Sequence, residues 1–503
     1  MNRAVGETRR GPVASDLGAR VRQAAAVAAV AAALLAAGCA AIEAPPGPSA
    51  GGIAPDAAPQ TTGGALANPE RKRLIDAFGG EYGAPAAERF LNDMLARLAP
   101  ASQTPSEPYR VTILDSPVVN AFALPSGDIF VTRGLLALAN DGSEVAAVMA
   151  HEIAHVTAHH ASQRAELEKT AALFSRVSAQ VLDRPGEGEE VETRMKLSIA
   201  RFSRQQEFEA DKIGIGDIAK AGYDPYAASR FLTSLGRWSA LRASLIGLGD
   251  ADKPDMMATH PSTPERVAQA IAEARQFGAP GVGETARDAY LSAIDGIAYG
   301  DDPTQGLVRG ERFLHPRLGF AFTAPPGFAL ENQAAALIGV GEGGAQALRL
   351  DSIALSDSTT LESALASGWI DGVKTGSAEA IAGGDLAKAT AVAQGEQWSF
   401  RLGAVRLDGR VFRLIFAAHS LTPAVDARFR AAIDSFRRLS PEEVAEARAL
   451  RLQIVVAQAS DTAETLARRM PFEERALGQF LVLNGFERAE PLIPGQRYKV
   501  VAP

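Results

Sequence analysis

The sequence predicts an α+β protein of several domains. Three observations carry that reading. The chain has 503 residues, more than one ordinary core organises. Long helix-period segments fill it up to a glycine-rich break at residues 278–283, after which short apolar runs alternate with helices. Within that later part, Asp408-Gly409-Arg410 between two apolar runs is a strong hairpin signal. The composition is that of folded domains, with 47% hydrophobic and 22% charged residues. Net charge is −8, both signs are mixed, and no basic tract is interleaved with aromatics, which excludes nucleic acid as a partner.

Residues 1–38 read as a signal peptide. Arg3, Arg9, Arg10, Arg20 and Arg22 precede a pure Ala/Val/Leu run at 24–37. That run is shorter than a membrane span. Ala36-Ala37-Gly38-Cys39 resembles a bacterial lipobox, which implies a lipid on Cys39 and a chain anchored to a membrane. Cys39 is the single cysteine, so disulfides are excluded and any metal must be held by His and carboxylates. Ala40 follows the cysteine in place of the Asp linked to inner-membrane retention, so the expected location is periplasmic, on the outer membrane. Residues 39–68, rich in Ala, Pro, Gly and Thr, read as a flexible tether.

The body is expected to begin with one helix over Pro69–Leu98. Strands follow at Tyr109–Asp115, Val119–Leu124 and Asp128–Thr132, with a turn at Pro125-Ser126-Gly127. Ser143 is the expected N-cap of a mostly apolar, buried helix. Residues 183–193 read as an exposed loop, Arg194–Ala221 as a helix, and 225–245 and 263–277 as further helices. In 310–440, Asp408-Gly409-Arg410 between two apolar runs signals a hairpin, and Thr422–Leu439 an amphipathic helix.

The chemistry concentrates in the buried helix. His151-Glu152-Ile153-Ala154-His155 puts two imidazoles at i and i+4, on one helix face, within reach of one ion. Four of the seven histidines lie within 151–160. Two neutral His ligands and a neighbouring carboxylate suit zinc-assisted peptide hydrolysis. A third ligand is then required. His159 and His160 follow too closely for a long-spaced third histidine and are read as structural or surface residues. Glu207 and Asp211 are another i, i+4 pair. Glu207 is the candidate ligand and Asp211 the candidate partner of a ligand imidazole, or an ion-pair partner of Arg204 or Lys212. Glu209, on the other side of that helix, is the weaker candidate.

These residues resemble metallopeptidase family 48. The resemblance rests on four stretches in order: Asn120–Leu136, HEIAHVTAHH at 151–160, QQEFEADKIG at 205–214, and His260-Pro261 through Val267. It implies a mainly α-helical zincin (gluzincin) domain with a small β-sheet over 69–285. It also implies one Zn2+ held by His151, His155 and Glu207. Glu152 would be the general base that takes a proton from a zinc-activated water. Asp211 would stand behind a ligand, and His260, with Arg266 beside it, would block the ion or steady an oxyanion. The substrate is expected to lie extended along Asp128–Thr132, taken as an edge strand. The implied substrates are misfolded or stalled envelope proteins. The alternative is an envelope assembly factor or chaperone whose zinc site is gated by His260. Residues 310–440 resemble PsbP-like sandwiches. Residues 450–503 are similar to a LysM module, a βααβ unit whose partner would be peptidoglycan.

Overall fold

The computed structural model describes residues 69–163, 204–246, 260, 263–332, 336–370, 373–472 and 475–503. The expected signal peptide, Cys39, the tether and the 183–193 loop lie outside the described residues.

The expected first helix is two: α1 (Pro69–Ala77) and α2 (Pro85–Ala101). Gly79 and Gly80 separate them at φ +87° and +103°. Gly79 presses so close to the Asp115 carbonyl that a Cβ would sit 2.5 Å from it, so the chain can turn there only with glycine. Helix α2 buries Ala87, Leu91, Met94, Leu95 and Leu98, one helical stripe.

Strands β1 (Arg110–Leu114), β2 (Ala121–Ala123) and β3 (Asp128–Thr132) form a sheet in the order β1-β3-β2. Gly127, at φ +82°, closes the turn between β2 and β3. Strand β3 is central and wholly buried, parallel to β1 and antiparallel to β2. The expectation of β3 as an edge strand is therefore corrected, because β1 returns to pair on its far side. The open edge nearest the motif helix is β2.

Helix α3 (Arg133–Leu138) leads into the motif helix α4 (Gly142–Thr157). The N-cap of α4 is Asp141, not Ser143. Asp141 Oδ1 accepts from the Glu144 N–H at 2.9 Å and from the Ser143 hydroxyl at 2.6 Å, so the carboxylate takes the capping role and the serine donates to it. Every residue of α4 from Gly142 to Ala154 is buried. Helix α5 spans 204–220. It crosses α4 closely at Gly214, where a Cβ would lie 3.0 Å from the His151 nitrogen. Helices α6 (Ala227–Ile246), α7 (Pro264–Ala274) and α8 (Arg287–Ile294) complete this region. Among the described residues no helix is long and apolar enough to cross a membrane.

After β4 (Ala298–Tyr299) the chain builds two sheets. The smaller contains β5 (Leu307–Arg309), β6 (Arg312–His315) and β7 (Phe320–Thr323). Among the described residues the larger has eight strands, β8 (Ala329–Asn332), β9 (Leu337–Gly341), β10 (Gln346–Ala354), β11 (Lys374–Thr375), β12 (Glu379–Ile381), β13 (Ala387–Gln394), β14 (Ser399–Leu407) and β15 (Arg410–Ala418). Helix α9 (Leu361–Ala366) covers one face, packing Leu361 and Leu365 on Leu402 and Ile415. Helix α10 (Pro423–Asp434) covers the other, packing Phe429 and Ile433 on Val405 and Phe416. The hairpin expected at Asp408-Gly409 is there, with φ of +47° and +76° and Leu407 paired to Arg410. Helix α10 ends before the expected Leu439 because a short strand, β16 (Arg437–Arg438), pairs with β7.

After helix α11 (Pro441–Glu446), the C-terminal segment runs β17 (Leu450–Val456), α12 (Ala463–Ala467), α13 (Ala476–Leu483), β18 (Arg497–Ala502), the expected strand-helix-helix-strand order. It is not a separate bead. Strand β17 pairs with β18 and with β4. Leu452, Leu466, Phe480, Tyr498 and Val501 share one hydrophobic core with α2, α3 and α4. Lys499, 1% exposed, reaches into the region built by α2, α3 and α4. Its ammonium donates to the carbonyls of Ala137 (2.8 Å), Leu138 (3.1 Å) and Ala139 (2.6 Å), the C-terminal end of α3. Three N–H donors thus meet three oxygens left over by a helix end.

Candidate metal centre

Helices α4 and α5 and residue 260 bring four side chains to one point. Donor atoms of His151, His155, Glu207 and His260 all lie within 4.8 Å of one another. His155 Nε2 is 3.0 Å from His151 Nε2, and His260 Nδ1 is 3.2 Å from the same atom. Glu207 oxygens lie 3.4 Å from His151 Nε2, 3.5 Å from His155 Nε2 and 2.9 Å from His260 Nδ1. A tetrahedral zinc with ligands at about 2.0–2.1 Å needs ligand atoms roughly 3.4 Å apart. These separations of 2.9–3.5 Å fit that tetrahedron, and two imidazoles, a carboxylate and a third imidazole are a zinc donor set.

The positions follow from local structure. One helical turn separates His151 from His155, and α4 is straight through both. Glu207 sits in the first turn of α5 and is 2% exposed. Asp211, one turn later, does not pair with Arg204 or Lys212 as one reading allowed. Arg266 of α7 holds it through two bonds, Nε–Oδ2 at 2.8 Å and Nη2–Oδ1 at 2.7 Å. The same carboxylate lies 3.0 Å from His151 Nδ1, fixing which ring nitrogen faces inward. Arg266 also reaches Glu207 at 3.1 Å. Glu152, 3% exposed, lies with Oε1 3.6 Å from His260 Nε2, the ring nitrogen of His260 other than the one that faces Glu207.

Charge is distributed to suit a cation. Burial disfavours a charge on Glu207, but the neighbouring His260 and His151 more than offset it and hold the carboxyl well below its ordinary range. Asp211 is likewise held down against burial by Arg266 and His151. Burial pulls His151 down, yet its bonds to Asp211 and Glu207 win and push it up to about 10 in the metal-free chain. Burial and the charges of His151 and His260 drive His155 the other way, well below its usual value.

Two residues of the site were not legible in the sequence. His160, read as structural or surface, is 1% exposed, and its Nδ1 lies 2.8 Å from His155 Nδ1. Glu209, the weaker ligand candidate, is not among the four clustered residues; its Oε2 faces His160 Nε2 at 3.5 Å. Helix α4 ends at Thr157, and His159 takes a left-handed φ of +55°, so a regular helical wheel misplaces His160. The available signal was the crowding of four histidines into ten residues.

The model of peptidase family M48 matches residues 85–274. The beta-barrel assembly-enhancing protease of Escherichia coli is 28% identical over 220 residues, covering 41% of this chain and 43% of that protein. The mitochondrial metalloendopeptidase OMA1 of Arabidopsis thaliana is 35% identical over 159 residues, covering 31% of this chain and 30% of that protein. The matched stretch thus spans less than half the length of either relative. The solution structure of cyanobacterial PsbP from Synechocystis matches at 12% identity and a TM-score of 0.22, covering 26% of this chain and 98% of that one. The clustered histidines, the carboxylates beside them and Arg266 all fall inside residues 85–274, and over that stretch the chain carries a peptidase family M48 domain.

Proposed function

We propose that this chain is a zinc-dependent endopeptidase of the bacterial cell envelope that hydrolyses misfolded or stalled envelope proteins. The observation that carries the reading is the convergence of His151, His155 and Glu207 beside Glu152 on a buried helix. Zinc held there would supply a Lewis acid that makes water nucleophilic at neutral pH. Glu152 would take a proton and return it to the leaving amine. Asp211 and Arg266 keep His151 oriented throughout. Arg266 also shares Glu207, tying the ligand from α5 to α7.

The substrate strand belongs on β2. The Thr132 N–H bonds to the Asn120 carbonyl and the Leu124 N–H to the Asp128 carbonyl, with the Asn120 N–H donating to Thr132 Oγ1, so 120/132 and 124/128 are the positions at which the two strands bond to each other. By the alternation of an antiparallel ladder, Ala121 and Ala123 turn theirs away from β3. An extended peptide adding to that edge gains main-chain bonds with little demand on its side chains. Strand β2 packs against α4, which brings such a peptide near the histidines.

The envelope assignment rests on the apolar run before Cys39 and on the E. coli relative named for β-barrel assembly, since closed β-barrels of that kind sit in outer membranes. A lipid on Cys39 and the 39–68 tether would leave the body free to reach substrates at the membrane. Peptidoglycan remains the proposed partner of residues 450–503, alongside their packing role in the peptidase core.

Glu152→Gln is expected to retain zinc and lose roughly 10²–10⁴-fold in hydrolysis of unfolded casein. Hydrolysis at the wild-type rate would overturn the reading. One observation favours a second reading, an assembly factor or chaperone with a gated site: His260 Nδ1 occupies a fourth corner, 2.9 Å from Glu207. If His260 gates, His260→Ala hydrolyses casein faster than wild type. A variant no faster removes the gate.

A further inference from the structure

We infer that His160 is a positioning residue for the ligand His155, and that Glu209 orients His160 in turn. The inference rests on the zinc reading of the site. It follows from where the protons must be. His155 Nε2 faces His151 Nε2 at 3.0 Å and Glu207 at 3.5 Å, so it must present a lone pair to an ion. Its proton is then on Nδ1. That N–H points at His160 Nδ1, 2.8 Å away, which must accept. His160 therefore carries its own proton on Nε2, the atom 3.5 Å from the Glu209 carboxylate. His155 thus donates to His160, and the Glu209 carboxylate faces the N–H side of the His160 ring at 3.5 Å as a charge rather than as a hydrogen-bond acceptor.

The fold builds this contact. Left-handed His159 ends α4 and turns His160 back beneath His155. Gln206 of α5 then fixes the backbone there, donating to the His160 carbonyl at 3.3 Å and to the Gln163 side chain at 3.2 Å. Gln206 and Glu209 stand three apart on one face of α5, while Glu207 and Asp211, four apart, take the neighbouring face. One helix thus supplies a metal ligand and the backing of both ligand histidines: Asp211 behind His151, Glu209 behind His160. The two supports differ. His151 leans on a carboxylate clamped by Arg266, whereas His155 leans on a neutral ring whose carboxylate has its side chain 60% exposed.

The test measures zinc affinity of the full chain by competition with a chromophoric chelator, and the visible spectrum of the cobalt form. Three variants are compared. His160→Leu removes the acceptor. Asn places a carboxamide oxygen near the Nδ1 position, and Gln reaches the Nε2 position instead. His160→Leu and His160→Gln are expected to bind zinc about 10–100-fold more weakly, with an altered cobalt spectrum, and His160→Asn to restore most of the loss. If His160→Leu does not fold, the Asn–Gln comparison decides. Melting of the chelator-treated proteins separates packing from positioning: a packing role lowers that melting temperature and leaves the affinity of the folded chain unchanged. Affinity in His160→Leu equal to wild type, or His160→Asn as weak as His160→Gln, would overturn the inference alone. A wild-type chain that takes no zinc would instead overturn the metal centre itself.

Discussion

Two buried clusters of electron-pair donors sit at the two ends of the same short stretch of chain, and they are completed differently. At the end of α3, the carbonyls of Ala137, Leu138 and Ala139 converge on the Lys499 ammonium, which the chain brings from its last strand. On α4, His151 and His155 converge with Glu207 and His260, and every facing atom is a lone-pair donor. The first cluster is matched from within the sequence, cation to carbonyls, and it ties the C-terminal segment to the peptidase region. The second has the size and donor set of a zinc tetrahedron, and its positive side chain, Arg266, stands behind the carboxylates. A cluster that carries its own cation is built for stability, and one built of donors alone is built for an ion.

The largest effect that sharpens this contrast is removal of a donor from the second cluster. Glu207→Ala is expected to lose zinc on dialysis, read by metal analysis, because the remaining ligands then lack the only carboxylate among them. Retention of a full zinc per chain would mean another group holds the ion. In the first cluster, Lys499→Met keeps the length and removes the charge. It leaves three buried carbonyls without their donor, and stability should fall by about 3 kcal/mol in urea unfolding. Zinc content should stay the same, and an unchanged stability would show that the ammonium is not the pin described here.

A smaller effect tests the second cluster's electrostatics. In the metal-free chain His151 is raised to about 10, from about 6.5 when unfolded, so its stabilisation is complete below pH 6.5 and is lost as pH rises through 10. His155 is depressed, so its contribution is present above pH 6.5 and is lost as pH falls. Chelator-treated protein should therefore be most stable near pH 6.5. Its stability should decline above that by up to about 1.4 kcal/mol per pH unit. With zinc bound the decline on the alkaline side should vanish, since the ion replaces the proton on His151. A flat metal-free profile above pH 6.5 would contradict the pairing of His151 with Asp211.

The same contrast explains what was legible in the sequence. His151, His155 and the Glu207/Asp211 pair were readable because a regular helix turns spacing into direction. So was the hairpin at Asp408-Gly409, where two residues with positive φ are written in the sequence itself. The central place of β3 was not, because sheet order depends on which strand returns to which side, and three short strands fit several orders. The break between α1 and α2 is written in the sequence as Gly79, Gly80, Gly83 and Pro85, and the charged helical residues on either side of it masked that signal. His160 was hidden by one left-handed residue, and Lys499 by the more than 350 residues that separate it from its carbonyls. Long-range pairs of that sort leave no periodicity to read.

Zinc titration of metal-free wild-type chain, followed by calorimetry or chelator competition, tests the central claim most directly. One tight site per chain is the result predicted, abolished when His151 and His155 are both replaced by alanine. No tight binding, or a site that survives that double replacement, would contradict it.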